Sequence, residues 1–131
     1  MLDRMKILEN NILELEKFQN NIPLSDITNN LHTEWALRYG LLESIQIVID
    51  ISCSLVSKNN LGNPETYAQC VEILNRNKYL DDQLANKLVG MIGLRNLLIH
   101  EYSEIQVEKL YSLLDNLDDL RKFIHNIEKF L

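Results

Sequence analysis

The residues most suited to chemistry lie together in one short segment, residues 93–102, which reads GLRNLLIHEY. It contains a permanent cation (Arg95), a titratable imidazole (His100) and a phenol (Tyr102). An arginine can hold a phosphate and stabilise the negative charge that develops on it, and a histidine can move a proton. By residue type the segment is suited to phosphoryl chemistry on RNA. A surface corner with an incidental histidine is the alternative.

Helical geometry sorts these side chains onto two adjacent lines. At about 100° per residue, Arg95, Ile99 and Tyr102 share one line, and Asn96 and His100 share the next. Arg95 therefore lies where the apolar stripe of a helix should face the core. A charge in that position snorkels, is paired, or faces a polar cleft.

The elements that must position this segment are helical. A first helix carries one apolar stripe and ends at Pro23. A second helix, with cap residues at positions 25–28, runs to about Ser57 and is apolar on most of its circumference, which predicts a central helix packed on two or three sides. One of its stripes consists of Leu31, Trp35, Leu42, Ile45, Ile49 and Val56. Arg38 lies on that stripe, and Asp50 lies in a narrow polar strip.

Cap residues predict the later boundaries. Asn63, Pro64 and Glu65 are typical of the start of a short third helix, with Tyr67 in its core stripe. Asp81 or Asp82 can cap a fourth helix.

A capping box, S-x-x-Q, begins at Ser103 and predicts a fifth helix from there to the C-terminus. The expected fold is an all-α, up-and-down bundle of four to five helices, a single domain covering residues 1–131.

Two glycines, Gly90 and Gly93, interrupt the fourth helix at a cost of about 1 kcal/mol each relative to alanine. Close approach of a neighbouring backbone is one explanation. Room for a ligand or a second chain is the other.

Composition narrows the function. The chain has 131 residues and a net charge of −6, which excludes a nucleic-acid binder that is basic over its whole surface. The third of the chain that contains the segment, residues 58–102, is neutral, with five basic and five acidic residues.

No signal segment is evident, and the window 36–56 is too polar to span a bilayer. Cys53 and Cys70 lack metal-ligand spacing, so we expect two reduced thiols, a cytoplasmic protein and no metal or cofactor.

The segment R-N-x-x-x-H-E-Y, placed between the fourth and fifth helices, resembles the Rx4HxY motif of the HEPN superfamily, and specifically the HepT-like toxins. This resemblance implies a metal-independent endoribonuclease, the toxin of a type VII toxin–antitoxin pair. It implies that Arg95 and His100 are catalytic and that Asn96 supports them. The RNA 2′-hydroxyl would attack the adjacent phosphate and leave a cyclic phosphate end.

The resemblance also implies partners. Tyr102 aligns with the tyrosine that a minimal nucleotidyltransferase antitoxin, MntA-like, modifies with AMP, and family members are homodimers whose two motifs meet across the interface.

Two rival hypotheses remain: a non-catalytic helical substrate-binding or docking partner of a minimal nucleotidyltransferase, and a structural dimer whose corner residues only pair internally. Arg38 and Asp50 are predicted to be structural.

Overall fold

The computed structural model describes residues 1–100 and 105–131. These residues are helical and contain no strand, so the predicted all-α class is confirmed. The elements are α1 (Leu2–Asn21), α2 (Leu24–Thr28), α3 (Leu31–Lys58), α4 (Tyr67–Arg76), α5 (Asp82–His100), α6 (Val107–Ser112), a 3₁₀ turn (Leu113–Asn116) and α7 (Leu117–Glu128).

Helix α3 is the centre of the bundle, as its apolar circumference predicts. It packs against α1, α4 and α5 along its length and also contacts α2 and α6. By length and composition alone, α3 is the one helix among the described residues that could cross a membrane, a test that the core helix of a bundle also passes. Its most apolar window is 56% buried within the bundle, which is the behaviour of a core helix.

The N-terminal end of α3 differs from the prediction. The cap residues at 25–28 belong to the separate helix α2, and α3 begins only after Asn30, whose side chain accepts a hydrogen bond from the backbone N–H of Thr33 at 3.2 Å. Leu31 and Trp35 are 58% and 49% exposed, although the stripe predicts them buried. The stripe continues beyond the point where other described helices cover it.

Helix α4 begins at Tyr67 and not at Pro64. The reason is a reciprocal cap. The Thr66 hydroxyl accepts from the backbone N–H of Gln69 at 3.2 Å, and the Gln69 side chain accepts from the backbone N–H of Glu65 at 2.6 Å. Tyr67 is consequently the first residue of the helix and is 46% exposed, which corrects its prediction as a core residue.

Helix α5 is capped as predicted, because the Asp81 carboxylate accepts from the backbone N–H of Leu84 at 2.8 Å. Ser103 lies outside the described residues. Gln106 has extended backbone angles, φ −73° and ψ 140°, so the helix predicted from Ser103 begins at Val107. The 3₁₀ turn then divides the predicted C-terminal helix into α6 and α7. Just before this turn, the Tyr111 hydroxyl donates a hydrogen bond to the Ile22 carbonyl at 2.8 Å.

Cys53 and Cys70 form a disulfide that joins α3 to α4, with their Cα atoms 5.0 Å apart. The prediction of two reduced thiols is therefore wrong. Spacing along the chain is no guide here, because the direct packing of α3 on α4 brings the two residues together.

Candidate active site

Arg95 is half-buried on α5 and faces α3 and α4. Its Nε donates to Oε1 of Gln46 at 3.0 Å, and its Nη1 donates to Oδ1 of Asn96 at 3.0 Å. The guanidinium carbon lies 5.1 Å from the centroid of the Tyr67 ring, within the range of a cation–π interaction. Of the three options for a charge on this line, the contacts of Arg95 fit a polar cleft best, because its acceptors Gln46 and Asn96 are neutral amides that each line a cleft.

A chain of polar side chains supports Arg95 from behind. Nε2 of Gln46 donates to Oδ1 of Asp50, one helical turn further along α3, at 2.9 Å. Asp50 in turn forms an ion pair with Arg4 of α1 at 2.5 Å. The chain runs from α1 across α3 to α5, and it fixes the orientation of the Gln46 amide because each end of that amide has a partner. This contact supports the predicted structural role of Asp50.

Two open clefts lie beside the residues that contact Arg95. One, of about 500 Å³, is lined by Asn96, Tyr67, Thr66 and both cysteines of the disulfide. The other, of about 350 Å³, is lined by residues that include Arg4, Gln46, Asp50 and Ile99. Asn96 lines the first cleft and Gln46 lines the second, so the side chains that hold Arg95 reach both.

The second cleft also has a hydrogen-bonded carboxylate at its edge. Nδ2 of Asn11 donates to Glu43 at 2.8 Å, and the Tyr39 hydroxyl donates to it at 2.7 Å. These two bonds, the Asn11 bond first, hold the pKa of the Glu43 carboxyl below its usual value. The same contact raises the pKa of Tyr39, because its hydroxyl donates to a negative charge.

His100 is the last residue of α5, and its side chain is exposed. The structure gives it no hydrogen bond to any described residue. Tyr102 lies outside the described residues. The structure thus brings Arg95 and Asn96 into contact and places His100 five residues further on, at the end of the same helix.

Arg38 is 8% exposed and links α3 to the backbone that precedes α6. Its Nη2 donates to the carbonyl of Ile105 at 2.9 Å, and its Nε lies 3.3 Å from Glu34. Ile105 is the first described residue after Tyr102, and Arg38 holds its carbonyl.

Metal ligands are not gathered anywhere in the part of the chain that the structure describes. No group of three or more His, Cys, Asp or Glu side chains there could hold a metal ion.

Gly90 and Gly93 lie on the exposed face of α5. A Cβ atom built on either one would meet nothing within 4 Å among the described residues. Close approach of a neighbouring backbone is therefore not the explanation for them, and room for a ligand or a second chain remains.

A family model described as Ribonuclease HepT-like matches residues 8–127. The chain belongs to the HepT-like ribonuclease family. The predicted membership of this family is thereby confirmed, and the names of the family and of its relatives support a nuclease.

Named relatives agree with this family. A candidate RNase of Archaeoglobus fulgidus is 37% identical over 94 residues, which are 71% of this chain and 70% of that protein. A protein of Shewanella oneidensis described as an mRNA nuclease HepT is 28% identical over 90 residues, 68% of each chain. A tRNA nuclease HepT of Aphanizomenon flos-aquae is 28% identical over 108 residues, 82% of this chain and 73% of that protein.

Solved structures share the HepT-like fold. A tri-AMPylated HEPN toxin of Shewanella oneidensis, in complex with its MNT antitoxin, superposes with a TM-score of 0.88 at 20% identity and covers 98% of this chain and 96% of its own. A cytosolic Bacillus subtilis protein of unknown function, YutE, superposes with a TM-score of 0.79 at 18% identity and covers 98% and 89%. These identities are low, so the likeness is one of fold.

Three residues that surround Arg95 in the candidate site are absent from the sequence-based prediction of it: Gln46, Tyr67 and Arg4. Gln46 and Asp50 did carry a signal, since they are polar residues spaced i, i+4 on a helix that is otherwise apolar. Tyr67 carried no such signal. Its contact with Arg95 depends on α4 starting at Tyr67, which is later than the sequence predicts.

Proposed function

We propose that this chain is a metal-independent endoribonuclease toxin of a toxin–antitoxin pair, and that it cuts RNA with Arg95 and His100. The observation that carries the proposal is the placement of Arg95. Arg95 is half-buried and is held by Gln46 and Tyr67, each of which lines a cleft, in a chain of the HepT-like family. A cation held in this way suits an anion.

The proposed chemistry needs no group beyond the RNA and these side chains. The RNA 2′-hydroxyl attacks the adjacent phosphorus, a new O2′–P bond forms, and the P–O5′ bond breaks. Arg95 stabilises the negative charge that develops on the phosphate oxygens. His100 removes the proton from the 2′-hydroxyl and passes a proton to the departing 5′-oxygen. Asn96 keeps the Arg95 guanidinium oriented. The products are a cyclic 2′,3′-phosphate end and a 5′-hydroxyl end.

Tyr102 is proposed as the site of control. A minimal nucleotidyltransferase antitoxin, MntA-like, would transfer AMP to its hydroxyl, and the added phosphate and nucleoside would block RNA by bulk and by charge. A solved structure with this fold is a tri-AMPylated HEPN toxin in complex with an MNT antitoxin, which supports the proposal. The proposed location is cytoplasmic.

A homodimer completes the proposal. Gly90, Gly93 and Leu97 fall on one line of α5 at helical spacing, and Leu97 is 40% exposed. His100 lies on the same face three residues later. A second copy of the chain packed on this line would bring its own motif close to the first, so that each cleft could contain residues of both chains.

RNA cleavage by the purified chain tests the proposal. The wild type should cut labelled tRNA or mRNA in the presence of a chelator and leave cyclic phosphate ends, and Arg95→Ala and His100→Ala should each abolish cutting. Equal cleavage by the wild type and both variants would refute the assignment of the two residues. Intact RNA with all three proteins would favour the non-catalytic docking partner instead.

Modification of Tyr102 is tested separately. Co-incubation with the cognate nucleotidyltransferase and ATP should add AMP to the wild type and stop cleavage, whereas Tyr102→Phe should accept no AMP. Mass spectrometry of the intact chain measures the addition. AMP found on Tyr102→Phe would contradict the assigned site.

A further inference from the structure

The support of Arg95 leaves one edge of its guanidinium available. Gln46 accepts a hydrogen bond from Nε of Arg95, and Asn96 accepts one from Nη1. The Tyr67 ring lies against the plane of the guanidinium. Among the described residues none accepts a hydrogen bond from Nη2. A planar cation held at Nε, at Nη1 and on one face presents its remaining N–H groups in a fixed direction, which suits a phosphate oxygen.

We propose that Gln46 and Tyr67 are positioning residues for Arg95, an inference that rests on the proposed function of Arg95. Gln46 fixes the rotation of the guanidinium, and it can do so because Asp50 and Arg4 fix the Gln46 amide in turn. Tyr67 fixes its tilt, since a cation over a ring face loses the attraction when it moves off that face. Neither residue needs to touch RNA.

Steady-state cleavage kinetics test this inference. Gln46→Ala should lower kcat about tenfold with little change in KM, the loss expected when one charge-assisted hydrogen bond no longer orients a catalytic group. Gln83→Ala, an exposed glutamine on α5, is the matched control and should cut RNA like the wild type. Tyr67→Leu should also lower kcat, and Tyr67→Phe should restore it because the ring is retained.

A double-mutant cycle separates positioning from a general structural effect. Lysine has no Nε–H for Gln46, so the loss caused by Gln46→Ala should shrink to less than about twofold in the Arg95→Lys background. The same loss in both backgrounds would overturn the positioning role. An inactive Arg95→Ala together with a fully active Gln46→Ala would overturn it while leaving the proposed function intact. An active Arg95→Ala would overturn the proposed function itself.

The disulfide provides a second, independent observation. It joins the same two helices that hold Arg95: Cys53 lies two turns after Gln46 on α3, and Cys70 lies three residues after Tyr67 on α4. Cys53 is half-buried, and both cysteines line the cleft that Asn96 also lines, so a small thiol compound can enter beside them.

We infer that this disulfide is a redox-sensitive clamp on the site and that its reduction by a small dithiol slows cleavage. A dithiol thiolate attacks one sulfur of the bond and forms a mixed disulfide. The second dithiol sulfur then displaces the first, which leaves two cysteine thiols and one cyclic disulfide of the reagent. Two electrons and two protons pass from the dithiol to the protein. The first turn of α4, which carries Tyr67, is then no longer tied covalently to α3.

Cleavage rates of the oxidised and the reduced full-length chain test the clamp, with a chromogenic thiol reagent counting free thiols. The oxidised chain should cut faster, reduction should slow it, and reoxidation should restore the rate. The variant Cys53→Ala/Cys70→Ala should be slow and indifferent to dithiol. Equal rates for both forms, faster cleavage after reduction, or the same dithiol effect in the double variant would each overturn the clamp.

Discussion

Reduction of the Cys53–Cys70 disulfide should lower the stability of the chain by an amount that can be worked out from its position. The two cysteines are 17 residues apart, and the bond closes the loop between α3 and α4. In the chain-entropy account, opening a loop of this length lets the unfolded chain gain about 10 cal/mol/K, which is about 3 kcal/mol of lost stability at 25 °C.

The size of the chain converts this free energy into a melting temperature. A chain of 131 residues has an unfolding entropy of roughly 0.28 kcal/mol/K. A loss of about 3 kcal/mol therefore lowers Tm by about 11 °C.

Thermal unfolding followed by circular dichroism at 222 nm (the far-ultraviolet helix band) measures the shift, with and without a dithiol. Reduction changes no side chain apart from the bond itself, so the comparison isolates the cross-link. The variant Cys53→Ala/Cys70→Ala is the control and should show no dependence on dithiol. A shift in Tm below about 3 °C for the wild type, or an equal shift in the control, would refute the loop-entropy reasoning.

Three further predictions follow from the described contacts. Arg38→Met keeps the aliphatic stem but removes the buried bond to Ile105, and should lower stability by about 3 kcal/mol in thermal unfolding; a change of Tm below about 2 °C would contradict this. Glu43→Gln should be less stable than the wild type at pH 7. This gap should close as the pH falls from 4.5 through the lowered pKa of Glu43, since that stability depends on the charged form; a gap unchanged at acid pH would count against it. Gly93→Trp should give a monomer in light scattering, because its side chain would fill the space into which the proposed second copy packs. A dimer formed by Gly93→Trp would exclude this face as the interface.

Much of the fold could be predicted from periodicity and caps. The central position of α3 follows from its apolar circumference, and the start of α5 follows from Asp81. Two errors fall where one local signal lies close to another. The Thr66–Gln69 cap displaces the Asn63–Pro64 start, and the extended backbone at Gln106 displaces the capping box at Ser103. A residue pattern alone does not decide which of two adjacent caps is used.

Part of the candidate site could also be predicted, from the apolar pattern of α5. Arg95 stands out in the sequence because a charge on an apolar line needs a partner. Its partners Gln46 and Tyr67 are 49 and 28 residues away along the chain, so only the packing of α3, α4 and α5 brings them to it. The disulfide follows the same rule, since two helices that pack side by side place Cys53 beside Cys70.

The polar chain also explains how an acidic protein can offer a cation to an RNA phosphate. Arg4 and Arg95 are both cationic, and Asp50 is the carboxylate between them. Arg4 lies 2.5 Å from Asp50, whereas among the described residues Arg95 is connected to Asp50 only through the neutral amide of Gln46. The carboxylate therefore compensates Arg4 and leaves Arg95 its charge. Acidic side chains farther away than the Debye length, about 8 Å at physiological salt, contribute little at this point. A net charge of −6 thus restricts the proposed RNA contact to a small area whose affinity falls as salt rises, without removing the charge that the reaction needs.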